Sequence, residues 1–211
     1  MKTKALLLAG MVFAAGAVSS MAQGTVYSVN AVGFVNVVLP PGFSLICNPL
    51  NASVNTVPAL FPNATFGMAV FKFSAGGGFI ANTFGFGGWT DPAMTLVPGE
   101  GFFFKNPGAT VTNTFVGNVQ QGTLTTQLSA GFQLVSSQVP QSGFVSTDLG
   151  APVAQFESVF TYNQATGYSS YTIGFGGGWS PSEPIMGVGQ AFFLKKNVGG
   201  VNWTRVFNVN Q

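Results

Sequence analysis

Short runs of β-branched and aromatic residues recur along the chain, and turn-forming residues separate them. Examples are residues 34–39, 43–46, 69–73 and 102–105, with the turn sequence Pro-Pro-Gly at 40–42. Runs of this kind, spaced about every 8–12 residues, are typical of β-sandwiches and β-barrels. Because helical periodicity is nearly absent, the pattern predicts an all-β fold made of sandwich or barrel-like units.

Two segments and two turns carry more local predictions. Residues 57–61 and 149–155 are each long enough for one or two helical turns. In Pro41-Gly42 and Pro98-Gly99, proline and glycine suit the central positions of a type II turn, where the glycine has a positive φ. We therefore expect very little helix and a tight turn at each of these dipeptides.

Two strands are apolar on both faces. Residues 102–104 read Phe-Phe-Phe and residues 192–194 read Phe-Phe-Leu, so successive side chains on either side of a strand are hydrophobic. A strand of this composition is covered on both faces. These strands are predicted to lie between two units of the chain or between two molecules.

Five sequence blocks occur twice in the same order, which indicates a tandem repeat. Gly-Phe-Ser-Leu-Ile at 42–46 returns as Gly-Phe-Gln-Leu-Val at 131–135, 89 residues later, and the inserted Gly178 raises the later offsets to 90. The other blocks are 70–73 and 159–162, 85–89 and 174–179, 99–105 and 189–195, and 118–119 and 208–209. We predict two units of about 90 residues, 33–121 and 122–211, closely packed and compatible with a pseudo-twofold axis.

The first 22 residues have the features of a secretory signal peptide. Lys2 and Lys4 form a basic start, residues 5–18 are apolar, and Ser-Met-Ala at 20–22 provides small residues for cleavage before Gln23. The alternative, a membrane anchor, is disfavoured because 14 helical residues rise only about 21 Å, against a hydrocarbon core of about 30 Å. We predict export and no transmembrane helix in the mature chain.

Residues 23–32 form an extra strand that the two units do not need. Its sequence Tyr27-Ser28-Val29-Asn30 is similar to the closing strand at 207–210, Phe-Asn-Val-Asn. The extra strand either pairs with an open sheet edge of the same chain or adds to a neighbouring molecule. It is the candidate assembly strand.

The opening and closing blocks of the first unit resemble those of a known group. Residues 42–49 (Gly-Phe-Ser-Leu-Ile-Cys-Asn-Pro) and 98–104 (Pro-Gly-Glu-Gly-Phe-Phe-Phe) resemble secreted, β-rich tandem-repeat domains of Gram-negative bacteria. The second unit departs from that pattern, with Ser-Ser-Gln at 136–138 and Val188 in place of proline. The resemblance implies a β fold and a location at the cell surface, outside the cell or in the periplasm, and it implies no activity.

Charge is scarce and balanced. The chain has seven Lys and Arg, five Asp and Glu, no His and one Cys, and only 6% of its residues are charged. Removal of residues 1–22 leaves five positive and five negative side chains, so the mature chain is neutral apart from its termini. Nucleic acid is therefore a poor partner, and self-association meets little electrostatic resistance.

The residue types that carry catalysis are nearly missing. Without His, Ser-His and Cys-His mechanisms are excluded. The only carboxylates placed alike in the two repeats are Asp91 and Glu183, and each stands beside a proline, which is typical of a turn. The lone Cys47, beside Leu45 and Ile46, is predicted to be a small buried thiol. We predict no enzyme, no cofactor and no metal site.

Aromatic residues near glycine-rich turns are the positive signal. The candidates for stacking on sugar rings are Trp89, Trp179, Phe79, Tyr168 and Tyr171. The alternative role for these residues is core and turn packing. A sugar site would expose Trp89 and Trp179 to solvent, whereas a structural protein would bury them or place them at a subunit contact.

Three interpretations of function follow. The first is a self-associating structural protein of an extracellular filament, surface layer or matrix, for which the chain itself is the partner. The second is a module that binds extracellular polysaccharide through exposed aromatic residues. The third, an eight-stranded outer-membrane barrel, is disfavoured because the strands are shorter than the roughly 9–11 residues that such a barrel needs.

Overall fold

Antiparallel strands make up nearly all the regular structure in residues 31–209, which are the residues that the computed structural model describes. The strands are β1 (Val32–Leu39), β2 (Gly42–Cys47), β3 (Ala69–Ser74), β4 (Gly78–Gly85), β5 (Gly88–Trp89), β6 (Gly101–Asn106), β7 (Val111–Asn118), β8 (Gly122–Leu128), β9 (Gly131–Ser136), β10 (Gly143–Phe144), β11 (Ser158–Asn163), β12 (Gly167–Ile173), β13 (Trp179–Ser180), β14 (Ile185–Met186), β15 (Ala191–Lys196) and β16 (Val201–Phe207). The all-β prediction is confirmed. The predicted signal peptide, residues 1–22, and the candidate assembly strand with Tyr27, Ser28, Val29 and Asn30 lie outside the described residues.

Only one of the two predicted helical segments contains a helix. Residues 57–61 contain the short helix α1 (Val57–Leu60), which has proline in its first turn and buries Val57 and Leu60. Residues 149–155 form no helix, so that prediction is wrong. Pro152 explains the difference, because its ring removes an N–H donor and disfavours the helical conformation in the residue before it.

Two five-stranded sheets form the middle of the molecule. The first has the order β2-β6-β3-β4-β5, and the second has the order β9-β15-β11-β12-β13. The register is also alike, because Phe71 lies opposite Phe103 in the first sheet and Phe160 lies opposite Phe193 in the second. Each sheet therefore places its apolar strand, β6 or β15, between two neighbours.

Two-stranded ribbons complete the fold. The first ribbon pairs β1 with β7, with Leu39 opposite Val111, and the second pairs β8 with β16, with Leu128 opposite Val201. Each ribbon turns alternate side chains inward, and the innermost ones, Leu39 and Leu128, are fully buried. A small sheet of β10 and β14 lies in the second half.

Each ribbon packs against one five-stranded sheet and encloses a core. The first core combines ribbon residues such as Leu39 and Phe115 with Phe102 and Phe104 of β6 and with α1. The second core combines Leu128 and Trp203 with Phe192 and Leu194. In each half, a ribbon and a sheet thus form the two layers of a sandwich.

A third, middle core joins the two sheets to each other. It contains Leu45, Cys47, Phe103, Leu134, Ala191 and Phe193. In β6, Phe102 and Phe104 face the first core while Phe103 faces the second sheet, so this strand is covered on both faces as its sequence predicts. The layers therefore run ribbon, sheet, sheet, ribbon.

The two sheets exchange equivalent backbone hydrogen bonds at the middle core. The N–H of Cys47 donates to the carbonyl of Gly189 at 2.9 Å, and the N–H of Ser136 donates to the carbonyl of Gly99 at 3.1 Å. Cys47 ends β2 and Ser136 ends β9, so each half holds the turn that precedes the central strand of the other. This contact, called the junction below, sets the positions of the aromatic side chains beyond it.

Candidate ligand-binding surface

Ten aromatic side chains cluster where the facing sides of the two sheets extend beyond the junction. We call this set the aromatic face; its members are Phe43, Phe71, Phe73, Phe79, Phe103, Phe132, Phe160, Tyr162, Tyr168 and Phe193. Side chains two residues apart on a strand share a face, so each strand brings its rings to the same side. In every case the opposite side of the strand belongs to the first or second core.

The aromatic face takes five rings from each half, at matching places. The matched pairs are Phe43 and Phe132, Phe71 and Phe160, Phe73 and Tyr162, Phe79 and Tyr168, and Phe103 and Phe193. Three of the five pairs are identical phenylalanines, and the other two pairs have Phe in the first half and Tyr in the second. The hydrophobic lining is therefore kept in both halves, and the second half adds two hydroxyls.

The face is buried at its centre and open at its rim. Phe103 and Phe193 are 6% and 8% exposed, whereas Phe79 and Tyr168 are 46% and 53% exposed. Four of the rings have intermediate exposure, so they lie between the buried centre and the exposed rim. A contiguous patch of exposed apolar rings, unlike single exposed ones, is typical of a binding surface.

Two open cavities divide the aromatic face. One, of about 410 Å³, is lined by Phe73, Phe132, Phe160, Tyr168 and Phe193. The other, of about 370 Å³, is lined by Phe43, Phe71, Phe79, Phe103, Tyr162 and Tyr168. Each cavity thus takes four rings from one sheet; the first closes against Phe73 of the other sheet, and the second closes against Tyr162 and Tyr168.

The rings meet mostly edge to face. Phe73 contacts Phe193 with centroids 5.1 Å apart at 87°, and Tyr162 contacts Phe103 with centroids 5.1 Å apart at 86°. In such a contact the edge of one ring lies on the face of the other, which suits the aromatic quadrupoles. The rings available to a ligand are therefore the exposed ones at the rim, such as Phe79 and Tyr168.

One lysine stands at each end of the aromatic face. The Nζ of Lys105 lies 6.0 Å from the ring centroid of Phe43, and the Nζ of Lys195 lies 5.8 Å from that of Phe132. Each follows its central phenylalanine, Phe103 or Phe193, by two residues and so lies on the same side of the strand. No carboxylate lines either cavity.

The structure brings together only two of the five residues predicted to stack on sugars. Phe79 and Tyr168 belong to the aromatic face, whereas Trp89 is only 8% exposed and packs in the first core against Phe61. Trp179 and Tyr171 are half-buried and pack against the second core. The short strands β5 and β13 turn the two tryptophans toward the cores, which buries Trp89 and leaves Trp179 partly exposed.

Eight residues of the aromatic face were not identified from the sequence. They lie in strands and not in glycine-rich turns, where exposed rings were expected. Period-two alternation in 101–105 and 191–195 is the signal that separates Phe103 and Phe193 from their core-facing neighbours. The same alternation places Lys105 and Lys195 beside them.

The predicted carboxylates hold local backbone. An oxygen of Asp91 accepts hydrogen bonds from the N–H groups of Ala93 and Met94 at 3.0 and 3.1 Å. Glu183 accepts hydrogen bonds from the N–H groups of Ser146 and Thr147 at 2.6 and 2.9 Å. In residues 31–209, no group of three or more His, Cys, Asp or Glu is placed to hold a metal ion.

Cys47 is buried in the middle core, as its neighbours predict. Burial raises the pKa of its thiol to about 12, although a hydrogen bond with Ser136 acts in the opposite direction. The thiolate is the reactive form of cysteine, so this side chain contributes packing and not nucleophilic chemistry.

No family model, curated protein or solved structure matches this chain. Among residues 31–209, no helix is both long and apolar enough to cross a bilayer.

Proposed function

We propose that this chain is a secreted, non-enzymatic structural or surface protein that self-associates as part of an extracellular filament, surface layer or matrix. It would act as two repeat units, residues 33–121 and 122–211, after removal of residues 1–22. The equal strand order of the two five-stranded sheets supports the two-unit description. The five positive and five negative charges of the mature chain favour association, because no net charge opposes it.

The outer face of the first ribbon carries this proposal. Val32 and Phe34 are each 71% exposed, Val38 is 62% exposed, and Val116 is 56% exposed. Phe34 and Val116 are directly paired across the ribbon, and Val32 and Val38 lie on the same outer side, with the polar pair Asn36 and Thr114 between Phe34 and Val38. We call these four apolar side chains the stripe. An exposed stripe of large apolar residues is typical of a surface that another protein covers.

The second ribbon lacks this stripe. Its outer face carries Thr123 and Gln127 where the first ribbon carries Phe34 and Val38, and Val206 is its one strongly exposed apolar side chain in the described residues. Because the first ribbon is the more apolar of the two, its stripe finds a matching surface on the same ribbon of a second copy. This favours a twofold, isologous contact as the basic unit of assembly.

Light scattering of the mature chain, residues 23–211, tests the proposal across a concentration series. The stripe variant Phe34→Thr with Val38→Gln introduces the residues found at 123 and 127. Its matched control is Val206→Thr, which removes an exposed valine from the second ribbon. We expect dimers or larger assemblies for the mature chain and the control, and monomers for the stripe variant.

One outcome would reject self-association, and another would reject the first ribbon as the contact. A monodisperse monomer at all concentrations would remove self-association altogether. Assembly that survives the stripe variant but is lost on deletion of residues 23–32 would move the contact from the first ribbon to the candidate assembly strand. Negative-stain imaging of the same samples separates filaments from closed dimers.

A second candidate function is binding of extracellular polysaccharide. The aromatic face favours it, because sugars stack on exposed flat rings and this surface offers several in one cleft. The contact residues would be Phe79 and Tyr168 together with Phe43 and Phe132, and not the tryptophans. Loss of binding to an immobilised polysaccharide in Phe79→Ala and Tyr168→Ala variants would support this candidate, and retained binding would reject it.

A further inference from the structure

We propose that the aromatic face binds a polysaccharide that carries carboxylates, with Lys105 and Lys195 as its anion-binding groups. This inference rests on the second candidate function and names the ligand class for that surface. It gives each half of the molecule one equivalent subsite, made of aromatic rings and one ammonium group.

The first observation is that these two lysines lack acidic partners. Of the five cations in residues 31–209, Lys72 pairs with Glu100 at 2.7 Å and Lys196 pairs with Glu157. Arg205 donates to Ser137 at 3.0 Å and also to Gln141. Lys105 and Lys195 contact only an aromatic ring within the described chain.

The second observation is that the carboxylates are also engaged, and none lies on the aromatic face. Asp91 and Glu183 accept backbone hydrogen bonds, as described above, and Asp148 accepts one from the N–H of Phe144 at 2.7 Å. In a chain with only 6% charged residues, two unpaired cations on one surface make that surface positively charged. A ligand with negative charge would meet attraction at both ends and no like charge in the cleft.

The third observation concerns shape. Each cavity is open to solvent along the rim that Phe79 or Tyr168 forms, so an aliphatic chain would remain wet there and gain little from burial. Flat rings that carry polar edges are better suited, because their faces cover the aromatic side chains while their hydroxyls stay in water. Two equivalent subsites in one cleft favour a ligand whose chemical unit repeats.

The test compares two forms of one polymer. Polygalacturonate and its fully methyl-esterified form share a backbone and differ in whether the carboxylates are charged. We expect the mature chain to bind polygalacturonate in calorimetric titration, to bind the ester at least about fivefold more weakly, and to lose affinity for the acid as NaCl rises.

Single and double substitutions test which side chains bind the polymer. Lys105→Gln or Lys195→Gln is expected to weaken polygalacturonate binding by up to about fivefold, and the double variant by about tenfold. Tyr168→Ala is expected to weaken both polymers by about two- to tenfold. The matched controls are Lys72→Gln, which removes the same charge from the other side of the sheet, and Phe175→Ala, which removes an exposed ring outside the cleft.

The outcomes separate this inference from the function on which it rests. Equal binding of both polymers, with no effect of the lysine variants, would overturn the anionic ligand while supporting polysaccharide binding. No binding of either polymer would overturn both. An equal loss of affinity in Lys72→Gln and in Lys105→Gln would show that net charge, and not the aromatic face, attracts the acid.

Discussion

Glu157 and Lys196 form a buried ion pair between the end of the loop before β11 and the end of β15. Their side chains are only 1% and 2% exposed. One carboxylate oxygen also accepts a hydrogen bond from the N–H of Ala154 at 2.8 Å, and the other accepts one from Asn197 at 2.9 Å. The equivalent positions of the first half carry Met68 and Asn106, which are neutral. Equivalent positions thus hold an ion pair in the second half and two neutral side chains in the first.

Breaking this pair on one side should be costly. Glu157→Gln is expected to lower the free energy of unfolding by about 3–5 kcal/mol, because Lys196 stays buried without a counter-charge. Urea denaturation measures this change. The control is the double variant Glu157→Met with Lys196→Asn, which installs the residues of the first half and should recover most of the loss. A double variant as unstable as the single one would contradict the explanation.

The pair also makes stability depend on pH. Burial by itself raises the pKa of Glu157, but hydrogen bonds from Lys196, Ala154 and Asn197 and the charge of Lys196 together hold that pKa below its usual value. A lowered folded-state pKa gives stability that is present above the unfolded pKa, about 4.3, and is lost as pH falls through the folded pKa. Denaturation midpoints of the wild-type chain should fall below about pH 4.3, and those of the double variant should fall less.

Phe156 has a backbone conformation that favours glycine. Its φ is +64°, and its N–H donates to the carbonyl of Ile173 at 2.6 Å. The equivalent residue of the first half is Gly67, with φ +86°, whose N–H donates to Phe84. The same turn is thus built once with glycine and once with an exposed phenylalanine.

Phe156→Gly should therefore be more stable than Phe156→Ala by about 1 kcal/mol. Both variants remove the ring, which is 57% exposed, but only glycine relieves the left-handed conformation. Thermal or urea unfolding of the two proteins measures the difference. Equal stabilities would show that the turn carries no strain.

At the scale of elements, strands of the two sheets lie close together where β6 meets β15 at the junction. A Cβ atom added to Gly101 would lie 2.7 Å from the Cβ of Ala191 and 2.9 Å from a side-chain carbon of Leu134. Ala191 is the residue equivalent to Gly101, so alanine at both positions would clash. The asymmetry between the two repeats at this position lets the sheets come together.

Gly101→Ala should push the sheets apart and lower the free energy of unfolding by about 1–3 kcal/mol, as overpacking does. The paired variant Gly101→Ala with Ala191→Gly moves the methyl group to the other strand and should recover part of that loss. Urea denaturation of both proteins, with Ala191→Gly alone as the control, provides the measurement. No loss in Gly101→Ala would mean that the junction is looser than described.

The sequence predicts the strands better than it predicts their surroundings. The runs at 34–39, 43–46 and 102–105 are all strands, and Gly42 and Gly99 have the positive φ expected of their turns. Local chemistry is sufficient for these predictions. The exposure of Trp89 could not be predicted, because it depends on which face of β4 and β5 the first ribbon covers, and that is a tertiary property.

For the whole molecule, Cys47 reports whether the two sheets separate. The thiol lies in the middle core, and burial raises its pKa to about 12. We expect a thiol reagent to label native protein at least about a thousandfold more slowly than protein in urea. A Thr125→Cys variant in a Cys47→Ser background places a thiol on the exposed face of the second ribbon and should react at once.

Comparison of labelling with unfolding decides the mechanism. If the labelling rate of Cys47 follows global unfolding in urea, the two sheets separate only when the whole fold is lost. Labelling that proceeds while the tryptophan signal remains native would show that the junction opens by itself. Immediate labelling of native protein would contradict the buried position of Cys47.

The sequence repeat predicts that two similar units pack together, but it does not predict where they differ. The block comparison aligns Phe103 with Phe193 and Lys105 with Lys195, and these residues do occupy matching places on the aromatic face. By contrast, Phe34 and its counterpart Thr123 can be compared only in the structure, which places both on the outer faces of ribbons.

The hydrogen bonds of the junction can also form between two chains that exchange halves. The backbone N–H of Cys47 donates to the carbonyl of Gly189, and that of Ser136 donates to the carbonyl of Gly99, so each hydrogen bond joins one half to the other. The first half of one chain and the second half of another can form the same bonds, if the short connection at residues 119–121 extends. A domain-swapped dimer would then contain two complete junctions, and refolding at high concentration is the condition under which we expect it.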